Sequence, residues 1–195
     1  MPVIDDAVAA VDAGELVVYP TETVYGLGGN ALDHTAIERV FTAKDRPRSN
    51  PVSLAVASLK DARAVVDPEP VTERFMAEFL PGPVTVICPK RSVVPDVLTG
   101  GRPRVGVRVP SCNLARELLD RTPPLTATSA NISGRQPVCR VDELDATIRR
   151  SAGCIVDGGE TPGGSSTVVD VASGRIHRRG RLADEVAAWL AAEGR

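Results

Sequence analysis

Histidine is almost missing from this chain: only His34 and His177 occur among 195 residues. Ser-His-Asp and Cys-His catalysis, and zinc held by imidazoles, therefore have few residues to draw on. The four cysteines, Cys88, Cys112, Cys139 and Cys154, form no Cys-x-x-Cys pair. They read as small buried residues of a reduced compartment rather than zinc ligands. Aromatic residues make up 3%, which leaves the core to Val, Leu, Ile and Ala and offers few rings for stacking bases. No apolar run approaches the ~20 residues of a membrane span. Met1 to Asp12 carries Asp5, Asp6 and Asp12 without a basic residue, unlike a signal or transit peptide, so a cytoplasmic location is the expectation. A positive excess is lacking too: the net charge is −2 and the pI near 5.8. Binding of nucleic acid by bulk electrostatics is not supported, although local basic clusters exist. Neither a GxxxxGK[ST] loop nor a GxGxxG fingerprint after a strand is present, which removes the Walker and Rossmann phosphate sites.

What is present suits one α/β domain over residues 1–195, with 43% hydrophobic and 25% charged residues. Helical spacing predicts helices over 4–13, 35–43, 58–65, 71–79 and 113–120, one from Asp142 to about Arg150, and one over 182–192. The last should stack Leu182, Val186, Trp189 and Leu190 on one side. Short β-branched runs predict strands at ELVVYP, 52–57, 84–88, 105–110, 124–130 and 153–157. A hairpin follows, turning at Ser173-Gly174. Residues 92–104, with two prolines and two glycines, read as a mobile loop. Alternating strands and helices with hairpin-like pieces imply a mixed, twisted α/β sheet rather than a doubly wound parallel one.

Four segments carry candidate chemistry. Tyr19 to Gly28 packs hydroxyls, a carboxylate and two glycines after a strand; it reads either as a small-substrate site or as a turn whose threonines satisfy their own backbone. Lys44-Asp45-Arg46-Pro47-Arg48 would suit a polyphosphate, or is solvated surface charge. Thr126 to Gly134 ends a strand in small polar residues, where open α/β sheets place ligands, or is ordinary turn chemistry. The run from Gly158 to Thr167 could cradle an anion on backbone N–H groups. Arg108 stands in an otherwise apolar strand, VGVRVP, where an unpaired charge would be costly, so it should face a partner or a cavity.

Taken in order, YPTETVYGLGGNA, KDRPRSNP, PGPVT, VGVRVP, TSANISG and GGSSTVVD resemble the YrdC-like family of threonylcarbamoyl-AMP synthases over residues 19–170. The resemblance implies a largely open mixed sheet around a large concave cationic cavity. It also implies formation of threonylcarbamoyl-AMP and pyrophosphate from L-threonine, bicarbonate or CO₂, and ATP, with Mg²⁺ carried by the ATP. On that basis Lys44, Arg46, Ser129 and Asn131 would hold ATP, with Lys44 and Arg46 catalytic, and Arg178 would lie near the nucleotide. Thr21, Arg108 and Ser166 would form the threonine site, and no metal-ligand set is expected. The carbamate nucleophile is already an anion, so no histidine base is required. Many relatives carry a histidine a few residues after the Asn-Pro, where Ala55 stands here. The chain resembles the short, single-domain form, which would pass its product to a tRNA threonylcarbamoyl-transferase, with possible tRNA contact. The alternatives are a non-catalytic RNA-binding module and a related carbamoyl-adenylate former of the hydrogenase-maturation type.

Overall fold

The computed structural model describes residues 2–195; Met1, the first residue of the N-terminal stretch considered above, lies outside them. In chain order the elements are α1 (Pro2–Asp12), β1 (Leu16–Tyr19), β2 (Gly26–Gly28), α2 (His34–Ala43), β3 (Ser53–Ala55), α3 (Leu59–Val65), α4 (Pro70–Phe79) and β4 (Val84–Pro89). Then come α5 (Asp96–Thr99), β5 (Arg104–Arg108), α6 (Asn113–Asp120), β6 (Leu125–Ser129), a 3₁₀ turn (Val141–Glu143) and α7 (Ala146–Ser151). Strand β7 (Ala152–Ile155), the hairpin β8 (Thr167–Asp170) and β9 (Arg175–Arg178), and α8 (Ala183–Ala192) complete the chain.

The described strands form one nine-stranded sheet in the order β7-β1-β2-β6-β3-β5-β4-β8-β9. Pairs β1–β7, β3–β5 and β4–β8 are parallel and the remaining five antiparallel, so the sheet is mixed, as the alternation of elements implied. Strand β1 shows why its run is apolar throughout. Val17 and Tyr19 enter a cluster with Ile4 and Leu118, whereas Leu16 and Val18 enter another with Val40 and Ile148. Period-two alternation with both faces covered leaves no place for a polar residue.

Strand β5 alternates differently. Val105 and Val107 are buried in the largest core cluster, with Phe75, Val86 and Val186, while Arg104, Gly106 and Arg108 between them line a cavity on the other face. One face of this half of the sheet is therefore core, and the opposite face is a concave wall.

Three expectations change. Residues 92–104 hold the helical turn α5, and Val94 and Leu98 are buried; Lys90 Nζ donates to the Val94 carbonyl and Val52 N to the Leu98 carbonyl. The helix expected from Asp142 begins instead at Ala146, because Asp145 is the residue whose carboxylate caps it at Thr147 N. Leu182 does not stack with α8: it precedes that helix with φ at 61° and is 37% exposed. Strand β2 was not expected at all.

Candidate functional site

A cavity of about 620 Å³ opens over β6, β3, β5, β4 and β8. Alternate residues of these strands point into it: Ser53 and Ala55 on β3, Gly106 and Arg108 on β5, Thr85 and Ile87 on β4. A side chain at position 106 would land on Ser53 Oγ, so glycine deepens the floor there. Strand β2 closes one end by pairing Gly26 with Ser129 and Leu27 with Thr128. The two glycines of β2 lie against the Tyr19 ring; a Cβ at Gly28 would sit 2.9 Å from Tyr19 Cε1. This close approach explains a strand made of residues with poor strand preference.

Six of the eight expected site residues line the cavity: Thr21, Arg46, Arg108, Ser129, Ser166 and Arg178. Lys44 and Asn131 lie behind the wall. Helix α2 is started by Asp33, whose carboxylate accepts from Ala36 N at 2.8 Å. The helix ends in a left-handed Asp45 (φ 49°), with Arg46 N bonded to the Phe41 carbonyl and Asp45 N to the Thr42 carbonyl. This double bond pattern is a Schellman close, and aspartate tolerates its positive φ better than most residues. It sends Lys44 inward and Arg46 to the cavity. Lys44 is fully buried; its Nζ donates to the Ser129 carbonyl at 2.5 Å and to the Asn131 carbonyl at 2.6 Å. Burial, and then the positive charge of Arg46, push its pKa down to about 8. Arg46 donates from Nε to the Asn50 carbonyl and from Nη2 to the Pro51 carbonyl, and burial lowers its pKa.

Asn131 uses its amide nitrogen on the carbonyls of Ile132 and Arg135, leaving Oδ1 buried without a partner. Ser133 Oγ is likewise buried and unpaired. Unsatisfied buried polar atoms are uncommon, and two of them flank the Ser129 turn.

At the other end of the cavity, Arg178 donates from Nε to the Ser166 carbonyl (2.9 Å) and from Nη2 to Ser166 Oγ (2.8 Å). Ser166 Oγ also lies 3.1 Å from Thr85 Oγ1. Arg108 donates from Nη2 to Glu22 Oε1 (2.7 Å) and to Thr23 Oγ1 (3.0 Å), and its Nε is buried without an acceptor. Burial, and then repulsion from Arg108, lower the pKa of Arg178. Two guanidiniums on one wall, that of the partly buried Arg108 and that of the more exposed Arg178, make a site for an anion. Thr21 Oγ1 donates to the Val24 carbonyl and lies 2.9 Å from Thr23 Oγ1, so it shapes the turn that carries Thr23.

The sequence reading gave no role to Glu22 or Thr85. Thr85 carries the same signal as Arg108, a polar residue at alternate spacing in the apolar run VTVIC. Glu22 stood in a segment already singled out, but its partner is 86 residues away in sequence, which no local pattern reveals.

The sequence model of Sua5/YciO/YrdC, described as telomere recombination, matches residues 9–180. The chain belongs to this family. It is 42% identical over 168 residues to the threonylcarbamoyl-AMP synthase of Pyrococcus abyssi, covering 85% of this chain and 49% of that protein. The fold matches crystal structures of P. abyssi Sua5 in complex with L-threonine (TM-score 0.84, 39% identity, 91% of this chain and 54% of that one) and of Escherichia coli YciO (TM-score 0.83, 28% identity, 92% and 90%). The chain thus spans about half the length of the archaeal relative and nearly all of YciO.

Proposed function

We propose that this Sua5/YciO/YrdC-family chain is a threonylcarbamoyl-AMP synthase, with residues 1–195 acting as one catalytic domain. The observation that carries the reading is the wall bearing Arg46, Arg108 and Arg178 beside the hydroxyls of Ser129 and Ser166, all facing one cavity large enough for a nucleotide and an amino acid.

In this reading the amino-acid carboxylate lies against Arg108, and the phosphates against Arg178, Arg46 and the Ser129 turn. Threonine's amine and CO₂ give a carbamate with loss of a proton. A carbamate oxygen then attacks the α-phosphorus of ATP, and pyrophosphate leaves as the bond from the α-phosphorus to the bridging oxygen breaks. The nucleophile arrives as an anion, so the protein's task is to hold two anions close and to neutralise charge building on the phosphates. Fixed guanidiniums do both, because a guanidinium carries its charge throughout the neutral range. Among the described residues no three His, Cys, Asp or Glu side chains converge on one point. Mg²⁺ would accordingly arrive on the triphosphate and supply charge neutralisation there. Lys44 and Asn131 act behind the wall, shaping the Ser129 turn.

A product destined for tRNA places the proposed enzyme in the cytoplasm, and no described helix is long and apolar enough to cross a membrane. A mixed anhydride of a carbamate and AMP is prone to hydrolysis, which favours hand-over to a tRNA-modifying transferase. Pyrophosphate release tests the reading. It should require ATP, bicarbonate and L-threonine together, and release that ignores threonine would overturn the assignment.

A further inference from the structure

We infer that Glu22 is a positioning residue that fixes the Arg108 guanidinium for the carboxylate of the amino-acid substrate. The inference rests on the function proposed above. Both oxygens of Glu22 are held by the protein: Oε1 accepts from Arg108 Nη2 at 2.7 Å and Oε2 from Ser111 N at 3.2 Å. Glu22 is not on the cavity wall, while Arg108 is. The carboxylate therefore sits behind the guanidinium, tying the β1–β2 connection to the end of β5.

Thr23 completes the arrangement. Nη2 has two hydrogens, and Glu22 and Thr23 take one each. With both engaged, the planar guanidinium cannot swivel about its last bonds. Its Nε stays buried and without an acceptor, a donor waiting for an oxygen that the protein does not supply. The neighbouring charge explains why such a brace is needed. Arg178 is close enough to Arg108 that the two repel, and an unbraced Arg108 would lean away from the very position where an anion should be clamped. Glu22 offsets one positive charge from behind and leaves the front to the substrate. A fixed donor also removes the ordering cost that binding would otherwise carry.

This role differs from that of a threonine ligand, since Glu22 acts only through Arg108. It differs too from a purely structural ion pair, since its loss should be felt by one substrate and not the other. The test compares wild type with Glu22→Gln, which keeps shape and one acceptor, and with Glu22→Ala, which removes the brace. Steady-state constants are measured for L-threonine and for ATP separately, and thermal unfolding is followed alongside.

The expected result is a KM for threonine raised roughly 10- to 100-fold in Glu22→Ala, the range that loss of one charge-assisted hydrogen bond gives. Glu22→Gln should fall between, with KM for ATP changed less than about twofold and kcat nearly kept, as for a loss of binding that the ground and transition states share. An unchanged threonine KM in a folded Glu22→Ala protein overturns the inference, as does a parallel rise in both KM values. Wild-type enzyme that releases no threonine-dependent pyrophosphate would instead overturn the proposed function, so the two failures are distinguishable.

Discussion

Lys44 Nζ lies 2.5 Å from the Ser129 carbonyl oxygen and 2.6 Å from that of Asn131, so the buried cation closes the Ser129 turn from behind instead of facing the cavity. Its pKa, pushed down to about 8 from 10.5 by burial and then by Arg46, gives two opposite pH effects. Between about 8 and 10.5 the folded chain holds fewer protons at this site than the unfolded chain. The group's contribution to stability therefore rises with pH there, by up to about 1.4 kcal/mol per pH unit, and is flat below 8. Grip on the two carbonyls, by contrast, weakens as the proton leaves. KM for ATP should increase above pH 8 in the wild type, while denaturant midpoints of the wild type gain on those of Lys44→Met. A midpoint difference that stays constant from pH 7 to 10 would show that Lys44 does not titrate in this range.

Legibility varied with how local the cause was. Arg108 could be read because one charge in an alternating apolar strand must face something other than core, and it does. Arg46 and Ser129 stood in segments at element ends that could equally be surface charge or turn chemistry; the family resemblance singled them out, and both line the cavity. Lys44 could not be read in full: whether it reaches the cavity or the carbonyls depends on the left-handed Asp45, a backbone choice that composition does not dictate. Strand β2 was hidden because glycine disfavours strands in general, and the reason it is required, the Tyr19 ring pressed against Gly26 and Gly28, is tertiary. The helix start at Ala146 was misjudged for a related reason. Asp142 and Asp145 are both plausible caps in sequence, and the buried Leu144 decides between them by interrupting the helix after the 3₁₀ turn.

Gly180 should not tolerate a side chain. A Cβ there would fall on the Ser165 carbonyl oxygen and 2.6 Å from the Ser166 carbonyl carbon, both backbone atoms that cannot rotate away. Gly180 N also donates to Thr167 Oγ1, holding the 165–167 segment against 180–181. Gly180→Ala should thus destabilise by about 2 kcal/mol or more through overpacking. It should also raise KM by displacing Ser166 and, through it, Arg178. Urea melts and kinetics on the same preparation check both; a wild-type midpoint would contradict the packing described here.

Trp189, the single tryptophan, sets its ring edge-on to Phe75 at 5.0 Å and donates from Nε1 to Glu78 Oε2 at 2.7 Å. Helix α8 packs with Val186 and Leu190 into the core cluster that also takes Val105 and Val107, the face of β5 turned away from the cavity. Trp189→Ala should therefore cost about 2–3 kcal/mol of stability, near the lower end for such truncations because the ring is only partly buried. Its kinetic constants should stay near those of the wild type. Circular dichroism melts, used because the fluorophore is lost, measure the first; a large change in kcat would mean that α8 communicates with the opposite face of the sheet.

Arg178 separates stability from binding. Arg178→Met loses two hydrogen bonds to Ser166 but also relieves repulsion with Arg108 and the burial of a charge. These effects oppose one another, and the unliganded variant should melt within about 1 kcal/mol of wild type. Its response to pyrophosphate should not be conserved. A ligand at 100 times its Kd stabilises the wild type by about 2.7 kcal/mol, and a tenfold weaker site under the same conditions gives about 1.4 kcal/mol. Calorimetry with and without pyrophosphate reads that difference directly. Equal stabilisation in both proteins would show that Arg178 does not hold the pyrophosphate, and would leave the phosphates to Arg46 and the Ser129 turn alone.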